Sequence, residues 1–148
     1  MNHPIFYTSL LLMAGFGIPV MAAINSKLGV SLNNPILATT ILFLVGLILS
    51  IIILLFNGIP EKIIDGSLSW YAYSAGFFVI FYIVSITYVA PRFGMSNAIS
   101  CVLLGQMIAM SVIDHFGLWG APQVSLSFWR GVGVVGMAVS VLLVVQKI

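Results

Sequence analysis

Five apolar runs, each about long enough to cross a lipid bilayer, constrain this chain more than anything else in it. A helix spanning the hydrocarbon needs roughly 20 apolar residues in a row. The runs lie at about 5–24, 35–56, 70–90, 95–113 and 126–146. None alternates with period two, so barrel strands are not expected. Turn-forming residues punctuate the gaps: Asn33-Asn34-Pro35, Asn57-Gly58 with Pro60, Pro91-Arg92-Phe93-Gly94 and Gly120-Ala121-Pro122. The connections are short, so one transmembrane domain over residues 1–148 is expected. Only 5% of the 148 residues are charged, against about 25% in soluble domains. A soluble fold of this size could not hide so much apolar surface. The expected class is an all-α integral membrane protein whose first partner is the lipid bilayer. No Lys or Arg precedes the first run, so that run is expected to stay as a transmembrane helix rather than be removed as a signal.

The charges respect this map. Lys27, Glu61, Lys62, Asp65, Arg92, Asp114 and Lys147 fall in gaps or at helix ends. Arg130 stands just inside the fifth run beside Trp129, a depth that suits a snorkelling Arg and an interfacial Trp. A net charge of +2 gives no basic surface for nucleic acid. Cys101 is the single cysteine, which excludes an intrachain disulfide. No Ser/His/Asp spacing, metal-ligand set or phosphate loop is present, so neither enzyme nor cofactor chemistry is expected.

An odd number of spans puts the termini on opposite sides. Loops on the N-terminal side hold Lys62 and Arg130, and the other side holds Lys27, Arg92 and Lys147. Two against three is a small bias, and orientation follows the Lys/Arg asymmetry. A single orientation and dual topology both stay open.

Polar groups within the runs are the informative ones, because each costs free energy to bury in lipid. Gln106 sits near the middle of the fourth run. It reads either as a hydrogen-bonded clasp to another helix or as part of a substrate path. Asn97 precedes it by nine residues, about 180° round a helix, so the two amides cannot face one cavity unless the helix bends. In the first run Pro19 follows Gly15 and Gly17, and Asn25 comes after. Pro19 is expected to kink that helix, either as a tolerated bend or as a break lining a path. The third run aligns Ser74, Phe78, Phe81, Ser85 and Tyr88 on one stripe with Tyr82 on its flank. That stripe is either packing or an aromatic wall for substrate. The candidate pathway residues are therefore Asn25, Phe78, Tyr82, Ser85 and Gln106. Asp114 and Arg130 are expected to pair and close the turn between the last two helices, a structural role. Small residues at four-residue spacing form seams for close helix contact: Cys101, Gly105 and Ala109, then Gly136 and Ser140, then Gly46 and Ser50.

Three stretches carry a family resemblance. They are GIPVMAAINSKLG (17–29), PRFGMSNAISCVLLGQMIAMSVIDHFGLWG (91–120) and Arg130-Gly131-Val132-Gly133. Together they resemble the YdcZ-like family of the drug/metabolite transporter superfamily, five-helix exporters of the bacterial inner membrane. The resemblance covers nearly the whole chain. Its most specific part is Gly105-Gln106 followed by Asp114-His115-Phe116-Gly117. Asn25 and Leu28 match a further Asn-x-x-Leu, and Pro91 and Gly94 match a Pro-x-x-Gly turn. The family often places a Gln where this chain has Met21. The glutamate that small multidrug-resistance proteins use in their first helix has no counterpart here, so their proton exchange does not carry over. The resemblance implies a chain equivalent to one half of a ten-helix carrier with inverted halves. It implies a small-molecule exporter working as a homodimer, antiparallel if topology is dual, or as a heterodimer with a paralogue. Substrate would pass between protomers by alternating access. A non-transporting accessory or assembly subunit is the alternative.

Overall fold

The computed structural model describes residues 4–59 and 70–145. Glu61, Lys62, Asp65, Lys147 and the expected end of the last span at Gln146 lie outside the described residues. The described residues contain five helices long and apolar enough to cross a membrane: α1 (Pro4–Ser31), α2 (Pro35–Asn57), α3 (Ala75–Phe93), α4 (Met95–Phe116) and α5 (Phe128–Val145). The protein is a multi-pass, all-α membrane protein. It divides into two compact units, residues 1–92 and 93–148.

The first unit is built from α1, α2 and α3. α1 runs seven residues past the expected end at Ile24 and continues unbroken through Pro19. Its 28 residues span about 42 Å, more than the ~30 Å hydrocarbon, so it tilts or projects. A tight turn follows, with Asn33 in the left-handed region (φ 49°). Asn34 then caps α2: its side-chain oxygen accepts from the amides of Ile36 and Leu37 at 3.1 and 3.0 Å, satisfying donors that a helix start leaves free. Pro35 occupies the first helical position, where its missing N–H costs nothing. The third span opens as a 3-10 turn at Trp70–Ser74, and its α-helix begins five residues later than expected, at Ala75. It carries Pro91 within its final turn rather than stopping there.

The second unit is an antiparallel pair, α4 against α5. Gly94, at φ 92°, makes the turn into α4, a conformation that favours glycine. Gly117 (φ 58°) ends α4 with its amide bonded to the Ile113 carbonyl, a left-handed cap. A short 3-10 turn, Leu118–Gly120, leads toward α5.

Most large apolar side chains are exposed along all five helices, as expected where lipid or another subunit covers them. What is buried is small. The first unit's core is Ala22, Ala38, Ile83, Ile86 and Ala90, and the second unit contributes Ala98 and Val141.

Candidate functional site

In the first unit the buried face of α3 repeats at three- and four-residue spacing: Ile83, Ile86, Thr87, Ala90. Thr87 is 2% exposed, and its hydroxyl accepts a 2.7 Å hydrogen bond from Asn25 Nδ2 of α1, itself 3% exposed. Gly29, one turn further along α1, makes room for this approach. A Cβ there would stand 3.0 Å from Thr87 Cγ2 and 3.3 Å from Pro35 Cα. Asn25, Ser26, Thr39 and Thr87 are the buried polar residues of the described chain. Thr39 bonds back to the Pro35 carbonyl at 2.9 Å. The Ser26 hydroxyl is buried with no hydrogen-bond partner among the described residues.

The α1–α2 turn and the end of α3 enclose a half-open pocket of about 300 Å³. Gly29, Val30 and Asn33 form one wall, and Thr87, Pro91 and Arg92 form the other. Arg92 is held in place there. Its guanidinium lies over the Tyr88 ring, 3.9 Å from the centroid, and Nη1 donates to the Tyr88 carbonyl.

The aromatic stripe faces outward instead. Phe78 and Phe81 are each 68% exposed and Tyr88 is exposed as well. Ser85 and Tyr82 are half-buried, and the Tyr82 hydroxyl is buried without a hydrogen-bond partner among the described residues. Within this unit, then, Asn25 is tied into the α1–α3 contact and Phe78 stands on the surface. The structure does not bring these two together.

In the second unit Gln106 is exposed, and its amide makes no hydrogen bond among the described residues. It lies eleven residues along the 22-residue α4, at mid-depth. The seam on that helix is open too: Cys101 is exposed and a Cβ on Gly105 would meet nothing. The same is true of Gly136 on α5 and Gly46 on α2. Among the described residues, the unit's ion pair and its hydrogen bonds of longest sequence separation lie at the α4–α5 turn. Arg130 Nη1 stands 3.1 Å from Asp114 Oδ2, with both side chains partly exposed. The Val124 amide donates to the Asp114 carbonyl at 2.8 Å, the Leu126 amide to His115 Nδ1 at 3.1 Å, and Gln123 Nε2 to the His115 carbonyl at 3.2 Å. A mostly apolar cleft of about 390 Å³ opens beside this turn, lined by Ile108, Ser111, Val112, His115 and Val135 among others.

Sequence reasoning missed Thr87 and Gly29. Thr87 was hidden by the neighbouring aromatic residues. Its signal was the small-ended repeat Ile83, Ile86, Thr87, Ala90. None of the candidate pathway residues lines either pocket described above. Chemically, the arrangement offers a cation-lined recess at one end of the first unit, and a lone amide at mid-membrane depth on the second.

A family profile described as "Putative inner membrane exporter, YdcZ" matches residues 6–143. No curated protein matches the chain, and no solved structure matches it.

Proposed function

The chain belongs to the YdcZ family of inner-membrane exporters, and from that premise we propose that it exports a small molecule as a dimer, by alternating access between protomers. The observation that carries the dimer is Gln106: exposed, unpartnered among the described residues, and halfway along α4. An amide facing hydrocarbon without a partner is costly, so something polar must meet it. The open seam of Cys101, Gly105 and Ala109 beside it is the surface a second helix needs for close approach. Gln106 then serves the pathway at the joint between protomers, with Tyr82 and Ser85 as further candidates and Asn25 and Phe78 in supporting positions.

The lone cysteine tests this directly. The midpoint of α4 falls between Gly105 and Gln106. Cys101 is therefore about 7 Å off centre along the helix axis. In a parallel dimer across this seam, two copies of Cys101 share one depth and crosslink. In an antiparallel dimer they stand about 14 Å apart along the axis and do not, since a disulfide needs Cα atoms within about 7 Å. Gly105→Cys, at the midpoint, crosslinks in both geometries. No crosslink from either position would sink the seam dimer. Flux of candidate solutes in proteoliposomes, lost in Gln106→Ala even where the Gly105→Cys crosslink holds the dimer together, supports the pathway role. The open seams also suit an accessory subunit. Stable co-purification with a second membrane protein and no flux alone would favour that reading.

A further inference from the structure

We propose that the pocket at the α1–α2 turn is a binding site for one phosphate group, either free or on a lipid headgroup. This goes beyond export and does not depend on a dimer. The pocket lies where α1 and α3 end on the same side of the membrane, a shared end fixed by the Asn25–Thr87 bond. That is headgroup depth. Arg92 is the charged group lining it. Stacking on Tyr88 and the bond to the Tyr88 carbonyl use one face and one N–H of the guanidinium. An Arg has five N–H donors in a fixed fork, so four remain.

No carboxylate neutralises Arg92 among the described residues, where the one ion pair is Asp114–Arg130 of the other unit. Lys27, on the same end of α1, is exposed, has no counter-ion among the described residues, and adds positive potential. Across the pocket, Asn33 is held in its left-handed conformation by the turn, and its side chain makes no hydrogen bond among the described residues. The recess thus presents a forked cation on one wall and a free amide on the other. A phosphate has acceptor oxygens pointing both ways, which suits two walls better than a planar carboxylate does. A volume of about 300 Å³ is at the small end for ligand sites, enough for a phosphate with a few attached carbons. Basic pockets at this depth are the usual setting for headgroup recognition. The ordinary alternative is an Arg that merely anchors a helix end at the interface.

Two probes separate the sources. Native mass spectrometry of the full chain counts phosphatidylglycerol bound against a phosphatidylcholine background. Radiolabelled inorganic phosphate, with the chain in phosphatidylcholine nanodiscs, measures the soluble anion. A single saturable adduct in either arm, lost in Arg92→Gln, is the expected result. The arm that gives it names the source. Arg92→Lys keeps the charge without the fork and should bind more weakly than the native chain. Asn33→Gly suits the left-handed turn, so it keeps the fold and should also weaken binding. No saturable binding in either arm overturns the proposal. So does binding that is unchanged in both Arg92→Gln and Asn33→Gly, which would leave Arg92 as an interfacial anchor only.

Discussion

The two units of this protein solve the problem of polar groups in a membrane in opposite ways. The first unit buries them and ties two to each other, with Asn25 bonded to Thr87 between helices and Gly29 letting the helices close. The second unit has its ion pair and its hydrogen bonds of longest sequence separation at one end, at the α4–α5 turn, and leaves Gln106 bare halfway along α4. The clasp commits Asn25 and Thr87 to the fold of the first unit. That contrast sets the buried interhelical bond of α1 and α3 against the exposed amide of α4.

The largest effect should come from filling the gap that the clasp needs. Gly29→Val puts a branched side chain where even a Cβ would stand 3.0 Å from Thr87 Cγ2 and 3.3 Å from the Pro35 backbone. Overpacking of this kind costs about 1–3 kcal/mol, and backbone leaves little room to relax. Gly46→Val is the matched control, because a Cβ there meets nothing. Thermal unfolding in detergent should show a clear loss for the first and almost none for the second. Equal losses would mean that the first unit is not closed at Gly29.

Next comes the clasp itself. Thr87→Val keeps the shape and removes the hydroxyl, leaving the Asn25 amide buried and unpaired. An unmet buried donor costs about 1–3 kcal/mol in general, and interhelical bonds in membranes average nearer ~0.6, with ~1–2 in model peptides. A loss of about 1 kcal/mol is expected. Adding Asn25→Leu to Thr87→Val should recover part of it, since no donor is then stranded. Gln106→Leu is the counterpart in the second unit. It breaks no bond within the chain, so the protomer should be at least as stable while the dimer weakens. A protomer that unfolds more readily would contradict the contrast between the units.

How much of this could be read from the sequence follows the same physics. Five spans were legible because hydrocarbon thickness sets a length that few other folds require. The end of α1 was not. Asn25-Ser26-Lys27 looks like a chain leaving the membrane, yet Asn25 and Ser26 are buried and the helix runs on to Ser31. The reason is tertiary: Asn25 finds its partner on α3, 62 residues away. Pro19 suggests a kinked helix, either a tolerated bend or a break, and the helix runs on through it without a break. The aromatic stripe of α3 was the conspicuous pattern, but large rings are tolerated on a lipid-facing surface. The face packed inside is the one with small and branched residues, which let helices approach. The pocket at Arg92 was invisible, because it depends on how one turn meets the end of a distant helix.

The smallest effect should come from the Asp114–Arg130 pair, although it is the most conspicuous charged contact in the molecule. The side chains are 44% exposed for Arg130 and 34% for Asp114. Ion pairs exposed to this degree contribute about 0–1 kcal/mol, and salt screens them further. The turn they bridge is also held by three other bonds, from the Val124 and Leu126 amides and the Gln123 side chain. Asp114→Asn should therefore lower the unfolding temperature only slightly at low salt, with the difference fading as salt rises. His115→Phe should cost more, about 0.5–1.5 kcal/mol, because the Leu126 amide loses its acceptor. If Asp114→Asn instead rivals Thr87→Val, the second unit depends on its charged end as much as the first depends on its buried clasp. The division of labour between the units would then have to be redrawn.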